Sequence, residues 1–269
     1  MKDNIALIAG EGILPVEIAK KLKDIQNSTL IIALRDDPEI LRPYAGKLIR
    51  LRTPNLTRGL KEIKTHGANK LIMAGRIPKK IIYTIPLFLD RLALKVLKNS
   101  LRDDHSLLGS IVKVFEDENI KVIPYWQILP EFLAPSGQLS KRKPNEKEVK
   151  DIDYAQKILS VTLPLSFGQS ICVADEAVVA LEAMEGTDNM IKRAGTLSQR
   201  GVLVKMMKKD QDMRYDLPTV GTKTLENMRE AGLTCLAIEA GKTLIMEPEK
   251  FFALADKFNI AVIGVSNNE

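Results

Sequence analysis

Short apolar runs recur along the chain, each closed by glycine, proline or charge, with amphipathic stretches of helical spacing between them. In the first half the run Ile5 to Ala9 ends in Gly10-Glu-Gly12, and Leu14 to Leu22 then repeats apolar residues at helical intervals. That order predicts a strand, a glycine turn and a helix. The same pattern predicts buried strands at Thr29 to Leu34, Lys47 to Leu51, Lys70 to Ala74 and Ile120 to Ile123. Helices are expected at Leu56 to His66, Leu87 to Lys98 and His105 to Glu118. Strands and helices alternating in this way wind by right-handed crossovers into a Rossmann-like parallel sheet covered on both faces.

The pattern breaks between residues 130 and 150, where two prolines, a glycine and the run Ser140-Lys-Arg-Lys-Pro144 separate two apolar-rich halves. Such a stretch predicts a boundary. The expected organisation is a Rossmann-like domain over 1–130, a linker over 131–147 and a second α/β domain over 148–269. Lys141-Arg-Lys143 reads as a solvated linker face. A helix is expected from Asn145 to Ser160, with Val149, Ile152, Ala155, Gln156 and Leu159 on one face. Strands then follow at Ser170 to Ala174, Ala177 to Glu182, Val202 to Met206, Thr234 to Ala240, Thr243 to Met246 and Ile260 to Val265. Helices fit at Asp188 to Ala194, Thr222 to Ala231 and Pro248 to Phe258. Ser170 to Glu182 and Leu236 to Met246 resemble hairpins, so a mixed-sheet α/β sandwich is expected here. No internal repeat is visible.

Composition narrows the function classes. At 269 residues, 45% hydrophobic and 28% charged, the chain has the balance of a globular protein with room for two cores. The net charge of +6 suits an anionic partner but does not demand nucleic acid, and 5% aromatic residues offer few stacking platforms for bases. The two cysteines, Cys172 and Cys235, sit in apolar runs and read as buried thiols; no Cys/His spacing fits a structural zinc. Gly10 and Gly12 interrupt the N-terminal apolar stretch, so no signal peptide is expected, and no segment approaches the roughly 18 apolar residues of a membrane span. A cytoplasmic protein is expected.

The chemistry concentrates in Glu185-Gly-Thr-Asp-Asn-Met-Ile-Lys-Arg193 and Lys209-Asp-Gln-Asp-Met-Arg-Tyr-Asp-Leu-Pro-Thr-Val-Gly221. Acids at 185, 188, 210, 212 and 216 alternate with cations at 192, 193, 208, 209 and 214, a pattern that suits a divalent metal beside a phosphate and also suits a solvated face. Thr187 is placed to cap a helix starting near Asp188, and Pro218 with Gly221 predicts a tight turn after Asp216. In the first half, Gly10-Glu-Gly12 lacks the third glycine of a dinucleotide fingerprint. Gly10, Gly12 and Gly75 mark either tight turns or a ligand edge where backbone approaches a phosphate or sugar. Asp104 reads as a helix N-cap, His105 as a structural first-turn residue more than a general base, and His66 as a helix C-terminal residue. There is no nucleophile elbow and no P-loop sequence, which leaves phosphate chemistry with water as the attacker.

Four segments carry a family resemblance: Leu7-Ile-Ala-Gly-Glu-Gly-Ile-Leu-Pro15, Arg102-Asp-Asp-His-Ser-Leu-Leu108, Leu181-Glu-Ala-Met-Glu-Gly-Thr-Asp188 and Gln211-Asp-Met-Arg-Tyr-Asp-Leu-Pro-Thr-Val-Gly221. Together they resemble the LpxI family of UDP-2,3-diacylglucosamine pyrophosphatases of lipid A biosynthesis, from the first strand to the last. The resemblance implies a Mg²⁺-dependent hydrolase, with Mn²⁺ as a substitute, that splits an amphipathic UDP-diacyl-sugar into UMP and 2,3-diacylglucosamine 1-phosphate. It further implies two α/β domains with substrate in the crevice between them, a homodimer, and transient contact with the inner membrane surface. The aspartate on which hydrolysis depends in the family corresponds to Asp216. Two positions depart from the family pattern: Ser166 stands where relatives often carry aspartate before Phe-Gly-Gln169, and Arg102 where they carry glycine. On this reading Asp216, Arg214 and Asp188 are the candidate catalytic residues, and Glu185, Asp188, Asp212 and Asp216 the candidate metal ligands. Gly10, Gly12, Gly75, Asp104, Gln169, Thr187 and Lys205 are the candidate substrate contacts. Ile81 to Leu89, unusually apolar, is a candidate for the acyl chains or a core segment. The alternative function is a sugar-nucleotide binding protein without turnover.

Overall fold

In the N-terminal unit, strands β1 (Ile5–Ala9), β2 (Leu30–Ala33), β3 (Lys47–Arg50), β4 (Lys70–Ala74) and β5 (Lys121–Val122) form a parallel sheet in the order β3-β2-β1-β4-β5. This computed structural model describes residues 3–26, 28–51, 55–76, 90, 92–93, 104–209 and 211–266. The chain divides into two units, Met1–Pro130 with Asp212–Tyr215, and Glu131–Gln211 with Asp216–Glu269. The interior strands of the first sheet are apolar on both faces because helices cover both. Three of those helices are described: α1 (Leu14–Ile25), α2 (Leu56–His66) and α3 (Asp104–Asp117). The Asn55 side chain accepts from the Arg58 amide at 2.8 Å to start α2, and Gly67, at φ 73°, ends it just after His66. Of the expected helix Leu87 to Lys98 only residues 90, 92 and 93 are described, the last two helical, and the apolar segment 81–89 lies outside the described residues.

At the carboxyl ends of β1 and β4 the two following loops pair with each other. The Glu11 amide donates to the Arg76 carbonyl at 2.8 Å and the Arg76 amide to the Glu11 carbonyl at 3.0 Å. A Cβ on Gly10 would lie 2.8 Å from the Arg76 oxygen, and one on Gly75 2.7 Å from the Glu11 oxygen. Only glycine allows this approach.

The second unit contains β6 (Gly137–Gln138), β7 (Ser170–Ala174), β8 (Ala177–Leu181), β9 (Val202–Lys205), β10 (Thr219–Val220), β11 (Cys235–Glu239), β12 (Leu244–Ile245) and β13 (Ala261–Val265). Six form one mixed sheet, ordered β6-β13-β11-β9-β7-β8, with β9, β11 and β13 parallel at its centre. The other two, β10 and β12, pair parallel as a separate ribbon. Helix α4 (Glu146–Thr162) packs Ile152, Ala155 and Leu159 on one face of the large sheet. Helices α5 (Gly186–Leu197), α6 (Thr222–Glu230) and α7 (Pro248–Lys257) cover the other through Met190, Leu225, Met228 and Phe251. Successive strand residues point to opposite faces, so Ile171 and Val173 join the first cluster while Cys172 joins the second. No described helix is long and apolar enough to cross a membrane.

Four expectations are corrected here. The β7–β8 hairpin forms, but Leu236 to Met246 does not: both edges of β11 are taken by β9 and β13, and β12 pairs with β10 instead. Pro218 to Gly221 is not a tight turn; it runs through β10 into Gly221, the residue preceding α6. The buried side of α4 is rotated, leaving Val149 44% exposed while Glu148 and Asp151 are buried. Residues 131–147 are built into the second unit rather than standing free of it. β6 joins the sheet beside β13, and Arg142 pairs with Glu148 at 2.7 Å while donating to the backbone carbonyls of Asn259 and Thr234. Arg142 is therefore a structural cation, not part of a solvated face.

Candidate active site

Lys205 is the last residue of β9, at the carboxyl edge of the parallel strands, and it is only 6% exposed. Its Nζ donates to Thr187 Oγ1 and to the Thr219 carbonyl, each at 3.2 Å. Both acceptors are neutral, and no described carboxylate forms an ion pair with it. Burial pushes the ammonium below the usual lysine range, and the negative charges of Glu182 and Asp188 act against that shift without cancelling it. A buried cation in this condition has one donor to spare and gains from an added anion.

The walls around it come from three elements. Thr187 Oγ1 donates to Glu182 Oε1 at 2.9 Å, and the Gln169 amide donates to Glu182 Oε2 at 3.3 Å. Ser170 Oγ lies 3.4 Å from Thr187 Oγ1. Asn227, 1% exposed, donates from Nδ2 to Asp188 Oδ1 at 2.8 Å. The side-chain oxygens Gln169 Oε1 and Asn227 Oδ1 are buried without a hydrogen bond. α5 begins here at Gly186, at φ 78°, and its preceding residue Glu185 provides no side-chain cap. The first-turn amides of α5 thus lack the usual side-chain acceptor, on the same edge as the buried ammonium.

Asp216 stands in the loop between β9 and β10, three positions before Thr219. Gln211 spans the neck of that loop: its Oε1 accepts from the Lys208 amide at 2.8 Å and its Nε2 donates to Asp216 Oδ2 at 3.2 Å. The intervening residues Asp212–Tyr215 belong to the first unit. There Arg214 Nη2 holds Asp212 Oδ2 at 2.6 Å, Nη1 holds Glu116 Oε1 at 2.7 Å, and Tyr215 packs against the apolar cluster of that unit. The Asp212 hydrogen bonds raise the Arg214 pKa above its ordinary value.

Models of the LpxI N-terminal domain and the LpxI C-terminal domain match residues 4–132 and 135–263. The UDP-2,3-diacylglucosamine pyrophosphatase LpxI of Caulobacter vibrioides is 31% identical over 98% of this chain and 98% of its own. The chain belongs to the LpxI family. A second similarity, 30% identity to a carbon catabolite-derepressing protein kinase of Candida glabrata, spans 56% of this chain and 24% of the kinase. Among solved structures, a UDP-N-acetylglucosamine 3-dehydrogenase, GnnA, from Acidithiobacillus ferrooxidans aligns over 70% of this chain and 61% of its own, at 17% identity and a TM-score of 0.27.

Within this LpxI chain the structure gathers Gln169, Thr187, Asp188 and Lys205 around one edge. It does not assemble the four expected metal ligands: among the described residues no group of three or more His, Cys, Asp or Glu could hold an ion. Glu185 is tied to Arg193 at 2.5 Å, which holds its carboxyl below the usual range, and Asp212 is tied to Arg214. Arg214, expected beside the chemistry, has its guanidinium filled by Asp212 and Glu116 and works as a loop anchor. Thr187 lies inside α5 and bonds Glu182, so it is not the helix cap. Gly10 and Gly75 are accounted for by the pairing of two loops, while Gly12, at φ 102°, faces open space. Asp104 opens α3, and the side chains of residues 104–106 lie outside the described ones, as does Asp210. Glu182, Asn227 and Gln211 were missed. The signal for Glu182 was an acid closing the apolar run Ala177 to Leu181.

Proposed function

We propose that this protein hydrolyses the diphosphate of UDP-2,3-diacylglucosamine, giving UMP and 2,3-diacylglucosamine 1-phosphate. The observation that carries the reading is Lys205, a buried ammonium with no carboxylate partner among the described residues, beside the uncapped start of α5. A phosphate oxygen would complete its donors and meet the α5 amides, with Thr187 and Gln169 fixing its orientation. The name of the Caulobacter relative identifies the sugar nucleotide that such a site would take.

The carboxylate of Asp216 has one oxygen held by Gln211. The other, to which no described residue is shown donating, would accept a hydrogen bond from the attacking water, aligning it and taking up its proton as the phosphorus–oxygen bond forms. Lys205 opposes the charge that builds on the phosphoryl oxygens. Were Mg²⁺ to take part, Asp216 would be the protein carboxylate to hold it, beside oxygens of the diphosphate. When bound, the ion would supply charge neutralisation.

The test is to incubate the protein with UDP-2,3-diacylglucosamine, with and without Mg²⁺, and follow UMP. Release by the native chain and loss in Lys205→Met support the reading. Binding of the nucleotide without any UMP would favour a sugar-nucleotide binding protein instead.

A further inference from the structure

Gln211 is held on both sides by specific hydrogen bonds although it sits in an irregular loop. Its carbonyl oxygen accepts from the Lys208 amide at 2.8 Å, and its amide nitrogen donates to Asp216 Oδ2 at 3.2 Å. The Lys208 carbonyl in turn accepts from the Gln211 amide at 3.2 Å, so residues 208 and 211 lock each other in a closed turn. The turn is fixed to the sheet from the other side as well. The Met207 amide donates to Glu239 Oε2 at 2.7 Å, and Glu239 ends β11 and is 2% exposed. Lys208 Nζ reaches the Ser166 carbonyl at 3.3 Å. Hydrogen bonds, joined by the Met207–Lys208 peptide link, therefore connect the central strand β11 through Glu239 and Gln211 to the Asp216 carboxylate.

We infer that Gln211 is the positioning residue of the Asp216 carboxylate, fixing which oxygen faces the reaction. A carboxylate can rotate about its Cβ–Cγ bond and present either oxygen. An amide donor on Oδ2 removes that freedom and leaves Oδ1 aimed elsewhere. A neutral donor is needed for this. Glutamate at 211 keeps the length and can accept the Lys208 amide, but it puts a second carboxylate against Asp216. Two carboxylates so placed repel each other, and neither offers the other a donor. Glu239 takes part only through the backbone of Met207, which makes it a support of the turn and not a group facing the substrate. Of the other described cations near Gln211 by sequence, Arg214 is committed to Asp212 and Glu116, Lys208 Nζ donates to the Ser166 carbonyl, and Lys209 is exposed. The inference rests on the proposed hydrolysis and names a further residue in it.

The experiment uses the full chain and follows the kinetics of UMP release for the native protein, Asp216→Asn, Gln211→Ala and Gln211→Glu, with thermal unfolding measured for each. Gln211→Ala is expected to lower kcat by about 10-fold while KM stays within about two-fold, because orientation of the attacking group is lost and binding is not. Gln211→Glu is expected to lower kcat at least as far, because it sets an acceptor in place of the amide donor. Native kcat in a folded Gln211→Ala overturns the inference. So does a loss that falls on KM as heavily as on kcat, which marks a purely structural glutamine. Should Gln211→Ala unfold, Gln211→Glu decides alone, and native kcat in it overturns the inference. Undiminished activity in Asp216→Asn overturns the hydrolytic assignment of Asp216 instead, so the two failures are distinguishable.

Discussion

A lysine ammonium that is 6% exposed and, among the described residues, paired with a hydroxyl and a carbonyl is a cost to the fold. A group that weakens the fold and sits at a ligand edge points to function. Replacement of Lys205 by methionine keeps the aliphatic volume and removes the charge. Lys205→Met is expected to unfold at the same temperature as the native chain or higher, while UMP release falls about 100-fold. The pH dependence has a definite sign. Burial lowers the Lys205 pKa in the folded state, so the folding penalty is fully present at low pH and shrinks as pH rises toward the ordinary lysine value. Activity follows the opposite course, since the working form is the ammonium. The native protein should lose kcat/KM on a basic limb below the usual lysine range, and Lys205→Met should lack that limb. Asp216→Asn should also cut turnover by about 100-fold or more, with thermal unfolding little changed. Turnover near the native level in either variant removes that residue from the chemistry.

The same contrast between cost and support appears at the scale of elements. α4 starts with a capping box in which Asn145 Oδ1 accepts from the Glu148 amide at 3.0 Å and Glu148 Oε2 accepts from the Asn145 amide at 2.8 Å. Glu148 also holds Arg142 at 2.7 Å and accepts from Thr234 Oγ1 at 2.6 Å. Burial would raise its pKa, but these donors win and hold it below the usual carboxylate value. Glu148→Ala leaves Arg142 without its carboxylate and removes half the capping box, at a cost of about 3 kcal/mol in urea unfolding at neutral pH. Because the folded pKa is depressed, that contribution is present above the unfolded carboxylate value and disappears as pH falls through the folded one. The gap between native and variant stability should therefore close in acid. Activity of the folded variant should not change, because Thr234 adjoins the amino end of β11 while Lys205 lies at the carboxyl edge. Elements of this kind were legible in the chain because buried parallel strands are unbroken apolar runs. Leu56 to His66 and Lys70 to Ala74 match residue for residue. The false hairpin at Leu236 to Met246 shows the limit: apolar runs mark strands, but the neighbour a strand takes depends on which sheet edges are vacant. The site was legible in its residue types and not in its grouping. Glu185 and Asp212 belonged to the conspicuous acid-rich motifs yet are spent on arginines, while Glu182, outside the pattern, contacts Thr187.

At the scale of the molecule, each unit carries its own apolar cores and the described residues gather no metal group. Structural metal sites add their binding energy to folding, so removing the metal unfolds such proteins. A catalytic Mg²⁺ held by one carboxylate and the substrate's phosphates would behave differently, because most of its oxygen ligands would come from the substrate. The proposed reading therefore predicts two separate responses to chelation. Thorough treatment with EDTA should leave the thermal unfolding temperature within about 2 °C of its starting value, far less than the shift that loss of a stabilising ion produces. UMP release should fall at least about 10-fold and return with Mg²⁺ or Mn²⁺, with no requirement for Zn²⁺. A titration of Mg²⁺ should likewise show tight binding only when a UDP-sugar is present, which reads the metal's place without any turnover. Full activity after chelation would mean that Lys205 and the α5 amides meet the diphosphate charge alone. A large drop in unfolding temperature would mean instead that a metal is part of the fold.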